Sequence, residues 1–183
     1  MNLEAEILRE HSKRQTVRIA TWVGADRTRF KQLMELFLRG EYRVTQRAAW
    51  IVGTCAETHP VLIGPWFKPM IKKMLEPGVH DAVKRNVVRI FASIDIPRPL
   101  LGTIANQCFD FLGSPDTPIA VRVHSMYTLA NIAEQEVGLT QEVRAVLQQT
   151  LLHAAPALQA CGRLVLKRLS RIEGRKKSPT LSR

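Results

Sequence analysis

The chain has 183 residues, of which 45% are hydrophobic and 6% aromatic, enough apolar material for a sizeable core and too much for wholesale disorder. Its net charge of +11 is unevenly placed: from Arg163 onward eight basic residues stand against one acid, Glu173, whereas residues 1–162 carry only +4. No run approaches the roughly 18 apolar residues of a membrane span, and the opening Met-Asn-Leu-Glu-Ala-Glu has acids where a signal peptide has a basic segment. The expectation is a cytoplasmic protein with a mildly basic globular part.

In chain order, Leu3, Ile7 and Leu8 suggest a short opening helix, and Ser12 precedes a second from Lys13 to Val23 that ends near Gly24. Asp26 is placed to cap the helix Arg27 to Arg39, with Phe30, Leu33, Met34, Phe37 and Leu38 on one face. Gly40 follows as a C-cap and is expected in the left-handed region. The helix Val44 to Thr58 stops at His59-Pro60, because proline disfavours helix in the residue before it. Pro65 to Glu76 is the next helix, and Pro69 inside it predicts a kink or a late start. Pro77-Gly78 leads into Asp81 to Ile94, followed by Leu100 to Leu112. Thr117 and Pro118 then open the helix that ends at Gln135, Thr140 is expected to cap Gln141 to His153, and Pro156 starts a last helix to about Ile172. No strand-like alternation competes with these runs, so the fold class is all-α.

The helices repeat. Sliding the stretch from Pro118 back 38 positions places Val121 on Val83, Arg122 on Lys84, Met126 on Val88, Leu129 on Phe91 and Ile132 on Ile94. Another 38 back, Gln46 lies under Lys84 and Trp50 under Val88, while Gly40 and Gly78 each precede an arginine (Arg47, Arg85) by seven residues. A fixed period in the high thirties is the mark of stacked helical hairpins.

The pair Val121-Arg122 with Ser125 and Leu129 resembles the second helix of a HEAT repeat, and the resemblance extends from Leu3 to Ile172 as about five units. It implies a right-handed α-solenoid of HEAT/armadillo type over residues 1–173, which uses the concave face of its inner helices to hold a partner, most often a protein. The chain is similar also to short bacterial HEAT-like proteins of no established activity, some bearing an adenylosuccinate lyase name. The lyase loop Gly-Ser-Ser-x-Met-Pro-x-Lys is absent from this sequence, so no such activity is expected. The HEAT-like alkylpurine DNA glycosylases offer a second comparison. They bind DNA on a basic concave face with tryptophans and a catalytic aspartate, and Asp95 is the nearest candidate for that aspartate here.

Basic residues at the starts of the inner helices, Lys13-Arg14, Arg47, Lys84-Arg85 and Arg122, would form a row if the repeats stack in register. Such a ladder either meets phosphates or acidic side chains of a partner, or binds carboxylates and carbonyls of neighbouring turns, with Asp81 and Asp116 placed for that. Gln46, His124 and Thr128 complete the candidate rim. Trp22, Trp50 and Trp66 are either core or stacking platforms; Trp50 shares the core register of Val88 and Met126, and Trp66 has no evident place.

Arg163, Lys167 and Arg171 are spaced four apart beside Leu164, Leu166 and Leu169. With Arg175, Lys176 and Lys177 they make a basic end that suits nucleic acid, an acidic protein or an anionic membrane surface, or else a solvated capping face; residues 174–183 are expected to be a disordered tail. The cysteines Cys55, Cys108 and Cys161 are 53 apart each time, without a Cys-x-x-Cys pair, which suits buried thiols and not zinc. Five scattered histidines and the absence of a Gly-rich phosphate loop give no catalytic signature. The expectation is a non-catalytic scaffold without cofactor or metal, with a nucleic-acid-binding repair or processing protein as the alternative.

Overall fold

The computed structural model describes the backbone of residues 1–177 and the side chains of residues 1–174. Among these residues ten α-helices follow one another as five hairpins: α1 (Leu3–Arg9) with α2 (Lys13–Val23), α3 (Arg27–Arg39) with α4 (Tyr42–Thr58), α5 (Phe67–Met74) with α6 (Asp81–Phe91), α7 (Arg98–Gly113) with α8 (Ile119–Gln135), and α9 (Thr140–Leu151) with α10 (Pro156–Lys177). No strand occurs among them. The chain divides into two compact units, Met1–Ile90 and Phe91–Arg183.

In the first unit α4 packs against α2 and α3. Its Ala48, Val52 and Cys55 recur at helical spacing and are fully excluded from solvent, as are Ile19, Leu33, Met34, Phe37 and Met70. Small residues on α4 let the larger chains of its neighbours approach, which is how a helix with two-sided burial is packed. In the second unit α8 plays the same part between α7 and α10. Met126, Leu129, Ala130, Ile132 and Ala133 are all fully buried. Helix α8 therefore buries its apolar side chains against neighbours on more than one side. Val88 on α6 is likewise fully buried, as its register predicts.

The helix ends show where local chemistry agrees with the sequence and where it departs. Ser12 and Asp26 act as N-caps, Ser12 Oγ accepting from Gln15 N at 3.1 Å and Asp26 Oδ1 from Thr28 N at 2.8 Å. Thr140 does the reverse of a cap: its hydroxyl donates to the Val137 carbonyl at 2.8 Å and the residue already belongs to α9. Pro118, not Thr117, is the residue flanking α8, and it provides no side-chain cap. The expected late start at Pro69 takes the form of a seven-residue 3-10 segment, Pro60–Trp66, before α5 begins at Phe67. Pro69 then falls in the first turn of α5, where a backbone donor has no intrahelical partner to lose.

Gly40 departs from the expectation outright. Its backbone is extended, with φ −67° and ψ 163°, so conformational freedom is not what the position requires. A Cβ built there would overlap the Leu36 carbonyl oxygen and come within 2.9 Å of Val44 Cγ1. The last turn of α3 and the Val44 side chain of α4 leave no room for a Cβ, which is the reason for glycine.

Helix α10 continues past the expected end at Ile172 to Lys177. Residues 178–183, the remainder of the expected tail, lie outside the described residues.

Candidate partner-binding surface

The cations at the starts of the inner helices divide by what they touch. Arg47 on α4 reaches the C-terminal end of α1, donating from Nη1 to the Leu8 carbonyl at 2.7 Å and to the Ile7 carbonyl at 3.4 Å. Arg122 on α8 donates from Nη2 to the Leu112 carbonyl near the end of α7, at 3.2 Å. The last carbonyls of a helix lack intrahelical partners and carry its partial negative charge, so an arginine placed there satisfies both. These two residues hold turns together within their own units. Backbone carbonyls serve them, not the Asp116 carboxylate. Asp81 pairs instead with Lys84 of its own helix at 3.4 Å. Arg85 is half-buried and makes no hydrogen bond or ion pair with the described residues. Arg14 pairs with Glu10 at 3.1 Å, both exposed.

Of the other rim candidates, Thr128 is fully buried and cannot meet a partner, because α8 packs on that side. His124 is half-buried, with its ring centroid 6.5 Å from that of Tyr127. Gln46 is half-buried at the start of the second turn of α4. Asp95 is exposed in the turn after α6.

The tryptophans are individually occupied. Arg29 lies over the Trp22 ring at 4.7 Å and also donates to its carbonyl at 2.7 Å. Trp50 is half-buried and not fully in the core, with the His11 ring edge-on at 5.7 Å. Trp66 lines a small cavity between α3 and the 3-10 segment.

An aromatic contact missed by sequence reasoning sits at the inner-helix edge of the first unit. The Tyr42 ring, 50% exposed at the start of α4, meets the His80 ring at 4.3 Å. His80 Nδ1 accepts from Ala82 N at 3.1 Å, which caps α6 and fixes the ring. The two positions are 38 apart, so the repeat period itself carried the signal. Ile119, the first residue of α8 in the second unit, is 49% exposed.

Helix α10 presents Arg163, Lys167 and Arg171, all exposed. Among its described residues the other charges are engaged: Arg168 grips Glu134 through two bonds of 2.7 Å, and Glu173 accepts from Arg144 at 2.8 and 3.2 Å. The side chains of Arg175, Lys176 and Lys177 lie outside the described residues.

Burial pushes the Cys55 and Cys108 thiols up to about 12, which keeps both protonated and unreactive. Among the described residues no three of His, Cys, Asp and Glu gather as metal ligands would, and no helix is long and apolar enough to cross a membrane.

A family model described as a HEAT repeat domain matches residues 3–169. Neither a curated protein nor a solved structure matches the chain.

Proposed function

We propose that this chain, which belongs to the HEAT repeat domain family, is a non-catalytic scaffold that binds another protein through the exposed edge of its inner helices. The observation that carries this reading is the Tyr42–His80 contact, a half-exposed aromatic pair pinned in place by a helix cap. Rigid, amphipathic aromatic groups supply contact area at low entropic cost, which is why interfaces are enriched in them. Arg47 and Arg122, by contrast, are spent on carbonyls and are poorly placed to serve phosphates. Localisation in the cytoplasm accords with this role.

The test is capture from a nuclease-treated lysate on the immobilised full chain, eluted with rising salt. A protein partner held beyond moderate salt by the wild type and released from Tyr42→Ala supports the scaffold. Capture that vanishes with nuclease overturns it.

One observation favours a second reading. Arg163, Lys167 and Arg171 form an exposed cationic row on α10 whose one nearby acid, Glu173, is already held by Arg144. Such a row suits nucleic acid, and binding of that kind weakens steeply with salt.

A further inference from the structure

The cavity beside Trp66 is the least explained feature of the first unit. It measures about 260 Å³ and is lined by Phe30, Val61, Leu62, Pro65 and Trp66 together with Arg27 and Lys31. Of its lining residues Phe30 and Leu62 are buried, whereas Val61 is 75% exposed and Trp66 is half-buried. The 3-10 segment that supplies Val61 to Trp66 is seven residues long, where such runs seldom exceed about four. A short irregular stretch rich in large apolar groups thus stands open beside two cations, and no carboxylate lines the cavity.

Size narrows what can enter. Pockets for whole small-molecule ligands run to about 300–1,000 Å³, and an apolar cavity of roughly 150 Å³ holds a benzene ring. The space here therefore suits one bulky side chain with little left over. Charge narrows it further. Arg27 is exposed and makes no ion pair with the described residues, and Lys31 one turn later has only a 4.0 Å contact with Glu35. The lining joins two cations to five apolar or aromatic residues, so an occupant gains most by burying a ring and setting a carboxylate beside the cations.

We infer that this cavity anchors an acidic segment of a partner protein, which inserts one aromatic or long aliphatic side chain against Trp66 and sets an adjacent carboxylate on Arg27. Trp and Arg are the residues most often found to dominate interface energetics. The inference rests on the scaffold reading and names a second contact for it, on α3 and the 3-10 segment, away from Tyr42.

The experiment is selection of phage-displayed random dodecapeptides on the immobilised full chain, with enriched peptides then synthesised and measured by fluorescence polarisation. Enriched sequences should place Phe, Trp or Leu within two residues of Asp or Glu. Trp66→Ala and, independently, the exposed Arg27→Glu should each weaken them at least tenfold. Because Arg27 is a surface residue, its variant keeps the test decisive where Trp66→Ala fails to fold. Lack of enrichment, enrichment of sequences without acids, or equal affinity for Arg27→Glu overturns the inference. So does displacement of the peptides by a single-stranded dT oligomer whose own binding needs Trp66, which would assign the cavity to nucleic acid. If Trp66→Ala still retains lysate proteins that Tyr42→Ala releases, the cavity fails and the scaffold stands.

Discussion

The side-chain amide of Asn131 on α8 donates to the Phe91 carbonyl at 2.8 Å, and the same nitrogen reaches the Ile94 carbonyl at 2.7 Å. Asn131 is itself buried, and Gln135 one turn on accepts from Ile96 N at 2.9 Å. Together they satisfy the chain leaving α6 at the point where it would otherwise carry unpaired groups into the packed interior.

Loss of that clasp should be costly. Asn131→Ala removes a buried donor shared by two carbonyls, and losing a buried hydrogen-bond partner costs about 1–3 kcal/mol. Asn131→Asp should be worse, since it sets a carboxylate against those oxygens. Urea unfolding with an unchanged slope measures it. A loss under about 0.5 kcal/mol for both variants would mean that water reaches the site.

Gly40→Ala should destabilise by about 1–3 kcal/mol, the range for overpacking. Two effects compete here. Removing glycine restricts the unfolded chain, which by itself is worth about 0.4–1 kcal/mol in favour of the variant. The overlap involves the Leu36 carbonyl oxygen, which is backbone, and the stiff β-branched Val44, so neither yields cheaply and the clash wins. Gly40→Asn separates this from a left-handed requirement. Asparagine tolerates the left-handed region, yet here it should cost as much as alanine.

The thiols should react in two phases. Cys161 is half-exposed, whereas Cys55 and Cys108 are buried with their thiols pushed up to about 12. At pH 8 one equivalent of a disulfide reagent such as Ellman's should be consumed quickly, and two more only on unfolding. Fast reaction of all three would mean that α4 and α7 open readily.

The two groups of cations should answer differently to salt. Changing Arg163, Lys167 and Arg171 to serine should reduce the salt slope of any DNA binding by about one unit per residue. Arg47→Ala should leave that slope alone and lower the melting temperature, because its guanidinium holds the end of α1. An unchanged melting temperature with a reduced slope would return Arg47 to the surface as a phosphate ligand.

The architecture was legible because burial on two sides leaves a periodic apolar record. Val88 with Met126, and Phe91 with Leu129, repeat in register, and all four are fully buried. Helix starts at Ser12 and Asp26 were legible for a local reason, a short polar side chain returning to its own backbone. What eluded the sequence depends on direction in space. Arg47 and Arg85 occupy equivalent positions, but only Arg47 meets carbonyls, and spacing alone carries no information on where a long flexible side chain turns. Gly40 and Gly78 look alike in sequence, yet Gly78 has φ 72° and Gly40 has none of that strain. Thr128 is a rim candidate by sequence, yet close packing around α8 buries it.

The seven-residue 3-10 segment from Pro60 to Trp66 also sets a length constraint. At about 2.0 Å of rise per residue, against about 1.5 Å in an α-helix, it carries the chain some 3–4 Å further than an α-helical run of the same count. Three residues complete a turn of it, so losing one residue swings Trp66 through a third of a circle and draws it back by about 2 Å. Loops usually tolerate insertions and deletions. This one has a reading frame of its own, and its tryptophan faces the cavity at one length only.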